Sequence, residues 1–599
     1  MEIVAVTFGQ SVKVDRADKD GRFSVRFDPV SATGATRIEV RAASGSVASK
    51  DVAVGDVFLC SGQSNMEMEV RNAQDAQGQI HNSADDQLRL MLVPRVVADE
   101  PMARFRDPPA WQVAGPDSVG GFSAACFYMA RELRKTANVP IGAIAASWGG
   151  SRISPWMGEK AQAAVGQQAE AALVSLHGRD PVAAERTASA RWEAWWRKET
   201  GDRAGQEPWQ PGSGIVWANV PKIGPWEEWG VPTLADYNGM AWYRREFDLT
   251  PAQAKAVARL SLGLLDDVGR VWINGKPVGM SARSWQPSSF DVPSGVLKAG
   301  RNVMIVNILD TYANGGLSGP ADVMKLSLGD RGEVALGSEW RYSVPTRTPE
   351  GAPRVPWGDV TGVGTLYNGM IAPLGAIGLK GVAWYQGESD VDLPGYADRM
   401  KAMMADWRRQ FGSPDLPFVA VQLAAYGKPV TAPDESGWAA MRQTQQRAMA
   451  QDDHGGLATA IDIGDPFDIH PGEKQELGRR LARAMRAVAY GEPVGRVGPQ
   501  GTQATAGADG GAVVTFSGLT GALHVRSAAQ AIGFELCGAD AGSCRFVPGR
   551  VEGTSVILAG DGRPATRVRY AWAGSPVVNL YDETPLPIGS FELPITQRR

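Results

Sequence analysis

Five short, nearly continuous apolar runs recur along the chain, each followed by a glycine-rich or polar turn and then a helical stretch. They are Val57-Phe-Leu-Cys60, Ile141-Gly-Ala-Ile-Ala-Ala-Ser147, Gly381-Val-Ala-Trp-Tyr385, Phe418-Val-Ala-Val-Gln-Leu423 and Leu457-Ala-Thr-Ala-Ile-Asp462. Strands apolar on both sides must be covered on both faces, and alternation with helices supplies that cover, so the pattern specifies a parallel sheet in an α/β domain. Leu477, Leu481, Met485 and Val488 form the expected apolar stripe of the helix after the last run.

The alternation is interrupted between about residues 170 and 350 by a Trp- and Gly-rich block. Asn274-Gly275 between apolar runs predicts a type I′ hairpin there, and Asn302-Val-Met-Ile-Val-Asn-Ile308 another strand. Short alternating strands such as Arg22–Phe27 and Thr36–Val40 open the chain, and a β-rich segment closes it. The expected division is a β segment over 1–55, the α/β domain over 56–170 and 351–492, an inserted β-sandwich over 171–350 and a terminal β domain over 493–599. At 599 residues the chain is long enough for several such cores.

Composition removes other classes. A net charge of −4 and the absence of a long basic run exclude electrostatic capture of nucleic acid. No stretch approaches the apolar length of a membrane-spanning helix. The 71 Gly, 39 Pro and 19 Trp suggest a turn-rich molecule with aromatic surfaces to spare. The N-terminus shows no secretory signal and begins almost inside a strand, which suggests that upstream residues have been removed. Cys537 and Cys544 close a short loop that a hairpin disulfide could staple, the alternative being two unpaired core thiols. Cys126 shares a helical face with Phe122, Met129 and Leu133 and reads as a core thiol. No Cys/His array has zinc spacing, and neither metal nor cofactor is expected.

Ligands of open parallel sheets bind beyond the carboxyl ends of the strands. Those ends carry Ser61-Gly-Gln-Ser64-Asn-Met66, Ser147-Trp-Gly149-Gly150-Ser-Arg152, Gln386-Gly-Glu388-Ser-Asp390 and Gly464-Asp465-Pro-Phe-Asp468-Ile-His470-Pro471. Nucleophile, oxyanion donors, base and orienting acid are all present, which is the inventory of acyl transfer. Ser64 needs a base. Of the five histidines, His81 and His177 lie in polar surroundings, His454 precedes a strand and His524 belongs to the terminal segment. Only His470 follows a parallel strand. Asp468, two residues away, is the preferred acid and Asp465 the alternative, although Asp465 could instead cap the turn before Pro466. The Ser64 N–H, an N–H of Gly149 or Gly150 and the Gln386 amide are the expected oxyanion donors. Glu388 is a structural acceptor, a substrate contact or another acid, and Arg152 binds a sugar group or solvent.

These four blocks resemble the SGNH-hydrolase superfamily, specifically the sialate O-acetylesterase-like carbohydrate esterases. The resemblance rests on Ser61-Gly-Gln-Ser64-Asn-Met-Glu67, Ser147-Trp-Gly-Gly150, Trp384-Tyr-Gln-Gly-Glu388-Ser and Asp468-Ile-His470-Pro-Gly-Glu-Lys474, and on the closing Trp572-Ala-Gly-Ser-Pro-Val-Val-Asn579. It implies a three-layer α/β/α domain that removes O-acetyl groups from carbohydrate without metal or cofactor, in a secreted or periplasmic protein. The superfamily often sets its Asp three residues before the His, where this chain has Phe467, and its usual third-block Asn is Gln386 here. The inserted block resembles the jelly-roll sugar-binding domain of β-galactosidase-type enzymes, through Trp242-Tyr-Arg-Arg-Glu-Phe247 and Val271-Trp-Ile-Asn-Gly275. It is expected to shape the cleft or to present aromatics such as Trp285 to a polysaccharide. Acetylated plant cell-wall polysaccharide, such as xyloglucan or xylan, is the expected substrate, with sialate O-acetyl ester the alternative. A glycosidase using Glu388 and Asp465, or a non-catalytic carbohydrate-binding protein, are readings from other classes; the oligomeric state is not legible.

Overall fold

The parallel ladder begins with β1 (Asp56–Gly62), whose Phe58, Leu59 and Cys60 are wholly buried. It is joined by β2 (Asp85–Leu92), β3 (Gln112–Ala114), β4 (Ile141–Ser147), β5 (Gly381–Tyr385), β6 (Phe418–Gln422) and β7 (Gly455–Thr459) in the order β7-β6-β5-β1-β4-β2-β3. The first six strands in that order run parallel, and β3 closes the edge antiparallel. Strand order reverses beside β1, and that is where a doubly wound sheet opens a crevice. Gly62 pairs in register with both Tyr385 and Ser147, so three strands end level at this crevice. The computed structural model describes residues 2–281, 286–311, 314–346 and 348–597.

Helices cover both faces, as side-chain alternation along β5 shows. A Cβ at Gly381 would lie 2.6 Å from Met485 in α5 (Lys474–Tyr490), whereas Trp384, three positions on, meets Trp407 of α3 (Tyr396–Gln410) on the other face. α2 (Ala124–Ala137) packs against α5, and α4 (Gly437–Gln451) against β6, β7 and α3. A four-residue α1 (Ser64–Glu67) follows β1 directly. The expected stripe is buried at Leu477, Leu481 and Met485. Cys126 is buried too, but it is not a free thiol: it forms a disulfide with Cys60. Cys537 and Cys544 form the second disulfide.

The chain folds into two units. The first holds the α/β domain, comprising the chain up to Val96, Met102–Ile153 and everything from Gly369 on. Its N-terminal sheet is antiparallel, built from Ile3–Phe8, Ser11–Arg16, Thr33–Ala42 and Gly45–Val54. The stretch 22–27, expected as a strand, joins no ladder; Val25 and Phe27 pack on the small core of Val4 and Val6 instead. At the other end, seven strands between Gln500 and Thr596 close into a barrel around Phe534, Leu536, Tyr570 and Phe591.

The second unit is Val97–Pro101 with Ser154–Asn368, wider than the expected 171–350. Three helices, Glu159–Ala164, Gln168–Arg179 and Pro181–Thr200, lie ahead of a sandwich of six- and five-stranded sheets. The predicted hairpin is present: Asn274 and Gly275 take φ of 53° and 76° between Val268–Ile273 and Lys276–Ser281. Its described tryptophans are buried, apart from the partly buried Trp195 and Trp217. Trp192, Trp196, Trp209, Trp242 and Trp272 pack together in the interior, and Trp111, in the first unit, is the one tryptophan among the described residues that is strongly exposed.

Candidate active site

Ser64 owes its position to the glycine two residues earlier. Gly62 has φ of 138°, and a Cβ there would sit 2.0 Å from the Tyr385 carbonyl, so only glycine lets β1 end this close to β5. The Gln63 N–H then donates to Tyr385 O at 2.9 Å, and the chain enters α1 with Ser64 as its first, half-buried residue.

The next residues bind the other three loops. Gln63 Oε1 accepts from Gly387 N at 3.2 Å and Ser389 N at 3.3 Å. Asn65 Nδ2 donates to Glu388 Oε1 and to the Ile469 carbonyl, each at 2.8 Å. Lys474 Nζ donates to Asn65 Oδ1 at 2.7 Å. Glu67 accepts the Gly149 N–H and pairs with Arg95 at 2.9 Å. Ser389 Oγ closes the circuit on the Gly150 carbonyl at 3.0 Å. The serine loop therefore touches the glycine pair, the Glu388 loop and the peptide unit just before His470. Sequence reasoning gave no role to Asn65, Glu67 or Lys474, although all three stand inside the motif blocks that carry the family resemblance.

His470 is half-exposed, with Nδ1 3.9 Å from Asp468 Oδ1; the same oxygen accepts the His470 N–H at 2.8 Å. Asp465 is exposed, and its Oδ1 takes the Phe467 N–H at 2.8 Å, the turn-capping contact expected before Pro466. The Ser64 hydroxyl has no hydrogen bond with any described residue, and none joins it to the His470 ring; such contacts commonly tighten only when substrate is bound.

Three other candidates, Gln386, Glu388 and Arg152, are buried or partly buried. Gln386 is wholly buried, and its Nε2 donates both protons, to Ser151 O at 3.1 Å and Asp390 Oδ2 at 2.6 Å, which leaves no N–H for a substrate oxygen. Glu388 accepts from Asn65, and its second oxygen is buried without a partner. Arg152 is partly buried beside Asp390 and Arg399. Trp285 lies outside the described residues.

Burial governs the electrostatics. It lowers the His470 pKa, a direction reinforced by Lys474 and opposed by Asp468 and Glu67, so the imidazole is neutral near pH 7 and able to accept a proton. Lys474 is pushed down to about 7 by its own burial, and burial raises Glu388. Among the described residues, the one cluster of metal-ligand types, Glu535, Cys537 and Cys544, lies in the terminal barrel with both sulfurs consumed in a disulfide.

The profile of a family described as carbohydrate esterase, sialic acid-specific acetylesterase, matches residues 54–177 and 351–487, the two segments that carry all four loops. The α/β domain is thus similar to this esterase family over both of its segments. Mouse sialate O-acetylesterase is 37% identical over 145 residues, covering 21% of this chain and 26% of that enzyme. The human enzyme is 37% identical over 113 residues, covering 18% and 22%. The chain thus spans about a quarter of the length of the curated relatives it matches. A carbohydrate acetylesterase from Xanthomonas citri superposes with a TM-score of 0.62 at 25% identity, covering 99% of this chain and 92% of that one. A second profile, the sugar-binding domain of glycosyl hydrolases family 2, matches residues 216–328 within the inserted unit.

Proposed function

We propose that this esterase domain hydrolyses O-acetyl esters on sugars through an acetyl-enzyme on Ser64. Ser64 Oγ attacks the acetyl carbonyl carbon while its proton passes to His470, whose imidazole Asp468 orients. The sugar oxygen leaves with that proton. Water then attacks the acetyl-enzyme, its proton goes to His470 and on to Ser64, and acetate departs. The transient oxyanion is stabilised by the N–H groups of Ser64 and Gly150, the Gly149 N–H being held by Glu67. What carries this reading is the convergence of the Ser64, Gly149 and His470 loops on one rim within a domain similar to an acetylesterase family.

The substrate is the acetylated carbohydrate of a plant cell-wall polymer, such as xyloglucan or xylan, and the protein contributes to polysaccharide degradation. The mammalian relatives favour a second reading, sialate O-acetyl ester. Two disulfides favour an oxidising compartment, periplasmic or extracellular. Acetate release from a panel of acetylated xyloglucan, xylan, mannan and sialate tests both readings. Turnover of a neutral polymer that falls at least about 10³-fold in Ser64→Ala is expected. Activity that survives Ser64→Ala would exclude the serine mechanism.

A further inference from the structure

Asn65 follows the nucleophile, is 1% exposed, and commits its whole amide to other loops. Nδ2 gives one N–H to Glu388 Oε1 and the other to the Ile469 carbonyl, each at 2.8 Å, and Oδ1 accepts from Lys474 Nζ at 2.7 Å. A backbone carbonyl can only accept, so the Ile469 contact fixes which end of the amide is nitrogen. The Ile469–His470 peptide unit is thereby gripped on both sides: Asn65 holds its carbonyl, and Asp468 Oδ1 takes its N–H at 2.8 Å. The residue after Ser64 and the residue before His470 are tied directly, and that tie sets how far apart the two backbones stand.

Two charged side chains hold the tie in place. Lys474, the first residue of α5, is 1% exposed, and its ammonium meets the Asn65 oxygen and, 5.6 Å from the ring centroid, the Tyr385 face. Among the described residues no carboxylate pairs with it; Glu388 and Asp468 act on it only through space. A buried ammonium destabilises a fold unless it is well partnered, so one engaged mainly with a single amide oxygen marks that amide as the group being oriented. Glu388 lies at the amide's other end. The negative end of the Asn65 dipole faces the cation and its positive end the carboxyl, and an amide set between the two cannot turn over.

We infer that Asn65 is the positioning residue of the Ser64–His470 pair, and that Lys474 and Glu388 act on the reaction through it. This rests on the esterase reading and deepens it. Steady-state hydrolysis of 4-nitrophenyl acetate by the full-length protein tests it. Asn65→Leu should lower kcat about 10²-fold with KM little changed, as misplacement of reacting groups does. Lys474→Met, which replaces the ammonium by an apolar side chain of similar length, should lower kcat about tenfold, and the double variant should be no worse than Asn65→Leu. Lys474→Met should also move the acid limb of kcat/KM to higher pH. Besides burial, Lys474 lowers the His470 pKa while Asp468 and Glu67 raise it, and a lysine pushed down to about 7 still carries its charge where His470 titrates. An unchanged kcat in Asn65→Leu, losses that multiply in the double variant, or an acid limb that stays in place in Lys474→Met would overturn the inference. Should Asn65→Leu fail to fold, Lys474→Met alone decides through its kcat and its acid limb. Ser64→Ala tests the esterase reading separately: turnover that it does not reduce sinks that reading, whereas Ser64-dependent turnover with kcat unchanged in Asn65→Leu sinks the positioning role alone.

Discussion

In the proposed mechanism His470 needs an acid on its Nδ1 side, and the two candidates differ in what they already hold. Asp465 spends an oxygen on the Phe467 N–H, whereas Asp468 holds the His470 backbone N–H and lies 3.9 Å from the imidazole. Asp468→Asn should therefore lower kcat by up to about 10⁴-fold, while Asp465→Asn leaves kcat unchanged. The reverse order would reassign the acid. Because burial and Lys474 together depress the His470 pKa, the base is already deprotonated at pH values where an ordinary histidine is charged. The acid limb of kcat/KM should inflect below the ordinary histidine value of about 6.5. An inflection above that value would contradict the assignment. That the loops of Ser64 and His470 lie at one end of the sheet was readable from the sequence, because each follows a parallel strand. The bonds of Asn65 were not, since one amide reaches across hundreds of residues to Glu388, Ile469 and Lys474, and local patterns carry no trace of that.

Strands and helices were more legible than the bonds between them. The apolar runs found the sheet, and Asn274-Gly275 found its hairpin, because each is specified by adjacent residues. Cys126 was correctly read as a core position, but its partner is a strand residue 66 positions away, a pairing set by tertiary packing alone. That bond clamps β1, which delivers Ser64, to α2. On a loop-closure argument it is worth about 4 kcal/mol, against about 2 for the tight Cys537–Cys544 loop. Denaturant unfolding of Cys60→Ala/Cys126→Ala should show the larger loss and Cys537→Ala/Cys544→Ala the smaller. Equal losses would mean that chain entropy is not what these bridges control. The strand expected over 22–27 failed for a related reason. Its alternation reflects packing of Val25 and Phe27 on a small core, which an extended segment achieves without a partner strand.

Across the whole first unit, polar links join the terminal barrel to the α/β domain, among them Gln443 to the Glu592 carbonyl, the Arg569–Glu435 pair and a buried arginine. Arg442 of α4 donates to the carbonyls of Leu423 and Ala424 on one side and of Ala573 and Gly574 on the other. Arg442→Met would take a donor from all four, although Ala424 O keeps the Trp438 indole N–H and Gly574 O the Tyr426 N–H, and should cost about 2 kcal/mol or more, with barrel and α/β domain still unfolding in one transition. Separate melting of the barrel in the unaltered protein would contradict this. The sequence had suggested aromatic surfaces, yet the described tryptophans of the inserted unit are interior apart from the partly buried Trp195 and Trp217. Composition counts side chains without saying which way they face.

Labelling by a serine-directed phosphonate, followed by peptide mass spectrometry of the intact chain, tests the central claim most directly. One adduct on Ser64, formed in step with loss of acetate release and absent in Ser64→Ala, is predicted. An adduct on any other residue, or full acetate release from protein fully labelled at Ser64, would contradict the account.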